Sequence, residues 1–275
     1  MRVVRRYWLS MVAILASVVI FLVPFAFIIL MAFKSQKQAA LLDFSWPEGN
    51  ALWSNIVEVV TTRNWMLVTA FVNSTILTVA SVTLLVIFGA TVGFVLQRRK
   101  TRFNGLIEFF ILAGLMIPPA VVPTIWLLQG LQLFGRLHGL ILIEVAYGLP
   151  FTILLYRAFI ATIPRELDEA AIVDGARPFD VFFRIVLPLL WPVTVTNIVV
   201  QSVGIFNDFT NPLYYLPGNG NATVQLTLYN FQSQFSTSYN LLFTNIALIT
   251  IPPLLVFLFF NRQIVAGMTA GAVKG

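Results

Sequence analysis

Long apolar runs separated by short polar segments dominate the chain. A helix that crosses the hydrocarbon core of a bilayer needs about 20 mostly apolar residues, and six runs meet that requirement. They are residues 7–33, 66–96, 105–128, 139–162, 185–213 and 241–260. The pattern predicts an all-α integral membrane protein with six transmembrane helices, forming one membrane domain over residues 1–275.

One polar segment interrupts this pattern. Residues 165–190, RELDEAAIVDGARPFDVFFRIVLPLL, combine acids and bases with a Gly and two Pro. Pro164 fits the first turn of a helix, where a missing N–H costs nothing. The acidic side chains that follow meet the positive end of the helix dipole; they are Glu166, Asp168 and Glu169. We call residues 165–190 the charged segment, and we predict that it begins with a short helix.

A Gly elbow divides the charged segment. Gly175 suits the left-handed backbone that ends many helices, and Pro178 starts a second short helix over FDVFFRIV. Helical spacing gives the first helix a small, largely apolar face, made of Leu167, Ala170, Ala171 and Asp174. Such a face lets another surface approach closely, which favours a docking element over a plain connecting loop.

Charge is scarce and unevenly placed. Hydrophobic residues make up 59% of the 275 residues and charged residues 10%, with mean hydropathy +0.88, whereas soluble domains carry about 25% charged residues. Six spans would put thirteen of the 17 Lys and Arg residues on the side of both termini and the charged segment. The other four are Lys34, Lys37, Arg63 and Arg136. Because basic residues concentrate in cytoplasmic loops, we expect both termini and the charged segment in the cytoplasm.

The usual catalytic and nucleotide-binding patterns are missing. The chain has no Cys and one His, His138, which argues against a thiolate metal site or a His-based dyad. The nearest match to the phosphate-binding pattern G-x-x-x-x-G-K-[ST] is GLQLFGRL, where Arg136 and Leu137 replace the Lys and the Ser/Thr. We therefore expect a non-catalytic chain that binds no metal and does not hydrolyse ATP itself.

Amides inside the apolar runs are candidates for a solute pathway. Asn73, Asn197, Gln201 and Asn207 carry groups that hydrogen-bond neutral polyhydroxyl solutes. The same groups also hold helices together, commonly for about 1 kcal/mol each, and both interpretations stay open.

Two carboxyl groups lie near the outer ends of the predicted spans. Glu144 and Asp208 qualify as functional candidates because ionisable groups are rare in a membrane. Ion-coupled carriers, however, tend to bind their ions near the bilayer midplane. Interhelical hydrogen bonding or capping explains both positions equally well.

Two loops on the opposite side from the charged segment differ in character. Residues 35–65 include ALWSNIVEVVTTRNW, which fits a short amphipathic helix at the membrane surface. Residues 214–240 carry no charge and are rich in Asn, Gln, Ser, Thr and Tyr. This second loop is either a surface for a partner or a sugar, or an ordinary solvated loop.

The charged segment resembles the EAA motif of ABC-importer permeases. That motif reads EAA, three residues, Gly, nine residues, Ile, one residue, Leu-Pro, and it is matched without a gap by Glu169-Ala170-Ala171, Gly175, Ile185 and Leu187-Pro188. Other stretches, among them YGLPFTILLYRAFIATIPRELDEAAIVDGA and the ending RQIVAGMTAGAVKG, are similar to the carbohydrate-uptake branch of that family, which includes maltose-transporter permeases. The polar loop 214–240 and the short N-terminus depart from the branch and leave the substrate open.

The resemblance implies a type I ABC-importer permease fold in a prokaryotic cytoplasmic membrane, with a coupling loop over residues 163–184 that enters a cleft on an ATPase subunit. The C-terminal tail, ending in Lys274-Gly275, would lie near the same subunit. The coupling residues implied are Glu166, Glu169, Ala170, Ala171, Asp174, Gly175, Ile185, Leu187 and Pro188. The implied partners are a second homologous permease, two subunits that bind ATP and Mg, and an extracytoplasmic solute-binding protein. The chain would then form half of a pathway for a sugar or oligosaccharide.

Two other functions stay open on the sequence alone. An ion-coupled secondary carrier acting by itself would place coupling acids at the midplane and would not need a docking segment. An ABC permease for a non-sugar solute, such as a glycerol phosphodiester or a polyol, is the other alternative. A phosphate-bearing solute would favour Arg or Lys in the pathway, and none lies in the middle of a run.

Overall fold

The computed structural model describes residues 2–232 and 237–272, and it builds them almost entirely from helices. In chain order these are α1 (Arg2–Phe33), α2 (Gln36–Ala39), α3 (Leu52–Arg98), α4 (Asn104–Met116), α5 (Val121–Gly130), α6 (Leu137–Ile160), α7 (Glu166–Val173), α8 (Pro178–Leu189), α9 (Trp191–Phe206), α10 (Thr210–Tyr215) and α11 (Tyr239–Ala272). Two 3-10 turns, Asn219–Asn221 and Gln225–Phe231, connect α10 to α11. The predicted all-α class is confirmed.

The number of spans agrees with the sequence if bent helices are counted as pairs. Within the described residues, four helices are long and apolar enough to cross a membrane: Ser10–Phe33, Leu52–Arg98, Leu137–Ile160 and Tyr239–Phe260. Two further spans arise from helix pairs with a sharp bend, 115° between α4 and α5 and 70° between α8 and α9. Together the four helices and the two bent pairs give up to six membrane spans.

Two of the predicted spans are not continuous helices. The run 105–128 breaks after Met116, because Pro118 and Pro119 remove two N–H donors and restrict the residues before them. The run 185–213 divides at Leu190, and Ile185 belongs to the helix before the bend. Asn207, predicted inside the fifth span, follows the end of α9 as its C-cap.

The second span starts earlier than its hydropathy predicts. Helix α3 begins at Leu52 and so includes the short amphipathic helix expected before residue 66. The two parts are separated by a kink at Thr62–Trp65, where Arg63, Asn64 and Trp65 have positive φ angles of 50°, 57° and 60°.

The chain divides into two compact units. The first comprises the residues up to Ala70 together with Val224–Ile251. Its buried polar core closes the end of α1: Asn55 Nδ2 donates to the carbonyl oxygens of Ala32 (2.9 Å) and Lys34 (3.0 Å), and Asn240 Nδ2 donates to Asn55 Oδ1 (2.8 Å). Carbonyls at the end of a helix lack partners within the helix, so these amides stabilise the turn after α1.

The second unit comprises Phe71–Thr223 and the chain from Pro252 onward. Helices α3 and α6 pack closely here because Gly89 and Gly93 face α6, where a side chain on either residue would collide with Thr152 or Tyr156. Small residues four apart allow this close contact between membrane helices. The contact brings the end of α3 beside the end of α6, from which the charged segment leaves.

Candidate functional site

The first helix of the charged segment, α7, ends in the predicted Gly elbow. Gly175 has a φ of +87°, its N–H donates to Ile172 O (3.0 Å), and the N–H of Ala176 donates to Ala171 O (2.9 Å). These two hydrogen bonds form a Schellman motif, in which Gly is the favoured left-handed residue. The predicted left-handed stop is confirmed.

The second helix, α8, is wider than an ordinary helix. Its start agrees with the sequence, since Asp180 Oδ2 accepts a hydrogen bond from the N–H of Arg177 (3.3 Å). Val181–Val186 then form a π-helical turn before Leu187–Leu189 return to the α form. π turns inside helices often occur at functional sites, and this one directs Val181, Phe182 and Val186 into the core of the second unit.

An ion pair attaches α7 to the end of α3. Arg98 Nε lies 2.7 Å from Asp168 Oδ2, and both side chains are largely buried. Arg98 also donates through its NH2 group to Ile163 O (3.1 Å), and Arg165 donates to Gln97 O (2.9 Å). The charged segment is therefore fixed to α3 by the ion pair and by one hydrogen bond, and the second hydrogen bond fixes the turn just before the segment.

The predicted coupling residues divide into an outer and an inner group. Exposed on the segment are Glu166, Glu169, Ala170, Asp174, Gly175 and Pro188. Ala171 is buried, and Ile185 and Leu187 are partly buried against the segment's own core. The surface that a partner can reach is thus made of the outer group with the exposed apolar side chains of Ile172, Val173 and Phe179.

A groove of about 600 Å³ lies between α3 and the charged segment. Phe94, Val95 and Phe182 supply apolar walls, and Arg98, Arg99, Arg165, Asp168 and Glu169 supply charge. The groove borders Glu169 and Phe179, which are part of the exposed surface of the segment.

The amides predicted to line a pathway are not all in one place. Thr152 Oγ1 donates to Asn197 Oδ1 (3.2 Å) and accepts from Gln201 Nε2 (3.1 Å), which joins α6 to α9. Asn197 is fully buried, and its Nδ2 has no hydrogen-bond partner among the described residues. For Asn197 this geometry favours the interhelical contact, whereas Gln201 keeps part of its surface exposed.

The other two amides make hydrogen bonds away from this cluster. Asn73 Nδ2 donates to Ala222 O (3.1 Å) and is partly buried. Asn207 Nδ2 donates to Val203 O (2.9 Å) at the end of its own helix and is exposed.

The carboxyl groups near the outer ends act in local contacts. Glu144 is buried and its Oε1 accepts a hydrogen bond from Asn211 Nδ2 (3.2 Å). Asp208 Oδ1 accepts from the N–H of Thr210 (2.8 Å), so it caps the start of α10. Both contacts match the interhelical and capping interpretation.

Sequence reasoning missed the partners that position these residues. It assigned Arg98 only to the basic excess and Asp168 only to the helix dipole. Thr152 was not a candidate at all. The GATVG spacing of Gly89 and Gly93 is the one local signal for the close contact of α3 with α6, but residues so far apart in the chain cannot be paired from one sequence.

The fold of the chain is shared with a chain of a solved transporter. It is similar to a chain in the crystal structure of a bacterial ABC transporter that imports the acidic polysaccharide alginate, with a TM-score of 0.81, 20% identity, and 95% of this chain and 98% of that chain covered. The family described as binding-protein-dependent transport system inner membrane component matches residues 85–270, and the chain belongs to that family.

Two relatives are similar over essentially the whole length. The melibiose/raffinose/stachyose import permease protein MelC of Bacillus subtilis is 29% identical, with both chains covered completely. The probable starch degradation products transport system permease protein AmyC of Thermoanaerobacterium thermosulfurigenes is 29% identical, with 98% of each chain covered.

Proposed function

We propose that this chain is the permease subunit of an ATP-driven, binding-protein-dependent importer of a sugar or oligosaccharide. It forms half of the translocation pathway, and a second homologous permease forms the other half. Two ATP-binding subunits, which hold ATP and Mg, supply energy, and an extracytoplasmic solute-binding protein delivers the sugar. The observation that carries the proposal is the charged segment, whose EAA residues, Gly elbow and exposed apolar face form a docking element in a chain of this family.

A carbohydrate is the substrate class that the relatives favour. MelC and AmyC are named for oligosaccharides and for starch degradation products. The amides of Asn73, Gln201 and Asn207 keep exposed surface that can hydrogen-bond sugar hydroxyls, and Asn197 supports Gln201 from inside through Thr152. No Lys or Arg lies in the middle of a predicted span, which gives a phosphate-bearing solute no counter-ion in this chain.

The charged segment faces the cytoplasm in this proposal, together with both termini, because most Lys and Arg residues lie on that side. Glu169, Ala170 and Phe179 enter a cleft on an ATP-binding subunit. When two such subunits close on ATP, the segment moves with them and shifts the helices to which it is attached. The tail at Lys274 and Gly275, expected beside the same subunit, lies outside the described residues.

An ion-coupled carrier is a weaker alternative. It would need a coupling carboxyl group near the bilayer midplane, whereas Glu144 and Asp208 lie near the predicted outer ends of their spans. A carrier that acts alone also does not account for the exposed apolar and charged surface of the charged segment.

Reconstitution tests the proposal. The chain would be co-expressed with the candidate permease, ATP-binding and solute-binding proteins of its source organism, and uptake of radiolabelled melibiose, raffinose, stachyose and maltotetraose would be measured in proteoliposomes. We expect uptake of at least one sugar that requires internal ATP and the solute-binding protein. The purified chain alone should hydrolyse no ATP. Uptake that continues without the ATP-binding subunits and follows a proton or sodium gradient would contradict the proposal.

A further inference from the structure

The ion pair between Arg98 and Asp168 differs from the other ion pairs of the second unit. Arg98 is 9% exposed and Asp168 14%, compared with 31% and 37% for Arg157 and Glu108. Charges exposed to water attract each other weakly, whereas burial removes the screening. The attraction between Arg98 and Asp168 is thus the least screened of these.

One carboxylate oxygen of Asp168 has no other partner that could replace Arg98. Asp168 Oδ1 is buried and has no hydrogen-bond partner among the described residues. If Arg98 lost its charge, a largely buried carboxylate would lose the positive charge that lies 2.7 Å away, which is unfavourable. The segment would then be held less firmly, because Asp168 would gain by turning towards the open groove that it lines.

The pair joins the two elements that a coupling mechanism must connect. Asp168 lies in the first turn of α7, one residue before Glu169 of the exposed surface. Arg98 is the last residue of α3, whose part within the second unit also carries Asn73. A helix rises 1.5 Å per residue, so Asn73 lies roughly 37 Å from Arg98 along α3.

We propose that Arg98 and Asp168 are positioning residues that form a strut, through which movement of the coupling segment is passed to α3 and so to the solute pathway. Arg165 and Ile163 stiffen the strut through their hydrogen bonds to Gln97 and Arg98. This inference rests on the proposed function for what the movement accomplishes, but the attachment itself does not depend on it.

Spin labels test the attachment. The chain has no Cys, so Val95→Cys on α3 and Ile172→Cys on α7, both exposed, can be labelled without background in the full chain in nanodiscs. We expect one narrow distance distribution in this labelled parent, a broad one in Arg98→Gln and in Asp168→Asn, and a narrower one in Arg98→Lys, which keeps the positive charge. Arg184→Gln, which breaks the exposed pair with Asp180, is the matched control and should stay narrow.

A second measurement tests transmission. In the complete importer without labels, the readout is the number of sugar molecules imported per ATP hydrolysed, for whichever of raffinose, stachyose or maltotetraose the wild type imports. Arg98→Gln should lower this ratio, because movement of the segment would no longer be passed fully to α3. ATP hydrolysis and co-purification of the subunits should persist, and the ratio of Arg98→Lys should lie closer to the wild-type ratio than that of Arg98→Gln.

The outcomes separate the strut from the proposed function. A narrow distribution in Arg98→Gln, or a broad one with an unchanged ratio, would overturn the strut. A wild-type complex that imports no sugar with ATP would count against the proposed function, and the spin-label distances would still decide whether the attachment exists.

Discussion

Gly175 offers the sharpest test of the elbow. A Cβ at this position would meet no atom within 4 Å, yet φ is +87°. Replacing Gly175 therefore changes backbone preference without creating a collision. A left-handed conformation costs an ordinary L-residue about 1–2 kcal/mol, partly offset by about 0.4–1 kcal/mol from the lower entropy of the unfolded chain when Gly becomes Ala.

The cost acts on the elbow and not on the whole membrane domain. The net cost for Ala, at most about 1.6 kcal/mol, changes a conformational ratio by up to about 15-fold, so Gly175→Ala should shift α7 out of its native arrangement in a measurable fraction of molecules. Asn tolerates the left-handed region better than other side chains, and Gly175→Asn should be milder. Gly175→Leu adds bulk on the exposed surface and should be the most severe.

The assay is sugar uptake per ATP hydrolysed in the reconstituted importer, with insertion checked by the yield of the assembled complex. We expect the order Gly, Asn, Ala, Leu from the highest ratio to the lowest. Gly105→Ala is the matched control, because Gly105 also has open space around it but no positive φ. Equal ratios for wild type, Gly175→Asn and Gly175→Ala would refute the reasoning.

Three further predictions follow from the same structure. Glu169→Lys reverses an exposed charge of α7 and should abolish ATP-driven uptake at normal membrane insertion, measured by uptake and by immunoblot; uptake at the wild-type rate would sink its coupling role. Thr152→Val removes the hydroxyl that joins Asn197 to Gln201 and should lower the free energy of unfolding by about 1 kcal/mol, seen as a lower melting temperature in detergent; an unchanged melting temperature would contradict this. Hydrogen bonds from Lys34 and then from the neighbouring Ser hydroxyl lower the pKa of Asp43 from 3.8 to about 2. The stabilisation is therefore complete above pH 3.8 and is lost as the pH falls through 2. Asp43→Asn should lower the melting temperature at pH 6, and its melting temperature should fall less on acidification than that of the wild type. An equally steep fall of the melting temperature in both proteins would contradict this.

The sequence predicted the parts of the fold that depend on local pattern. The helical spans, the Gly elbow at Gly175 and the start of α8 at Pro178 follow from apolar run length, backbone preference and capping. The predicted bounds of two spans run across the breaks at Pro118 and near Leu190, because the apolar sequence continues there although the straight helix does not.

The candidate site could be predicted only in part, because one sequence shows local patterns but does not show which helices are neighbours. The spacing of the EAA residues lies within one stretch of chain and is visible in the sequence. The burial of Ala171 and the pairing of Arg98 with Asp168 depend on which helix lies next to the segment. That arrangement is decided by packing of α3 on α6 through Gly89 and Gly93.

The central claim is that the charged segment docks on an ATP-binding subunit, and crosslinking tests it most directly. Ala170→Cys places a single thiol on the exposed surface of α7 in a chain without Cys, and Thr61→Cys places one on the exposed surface of the other unit as a control. In membranes that contain the complete importer, a short crosslinker that reacts with a thiol at one end and inserts into neighbouring C–H bonds on illumination at the other should join Ala170→Cys to the ATP-binding subunit. It should leave Thr61→Cys free of that subunit. An intact, transporting complex in which Ala170→Cys gives no such adduct would contradict the account.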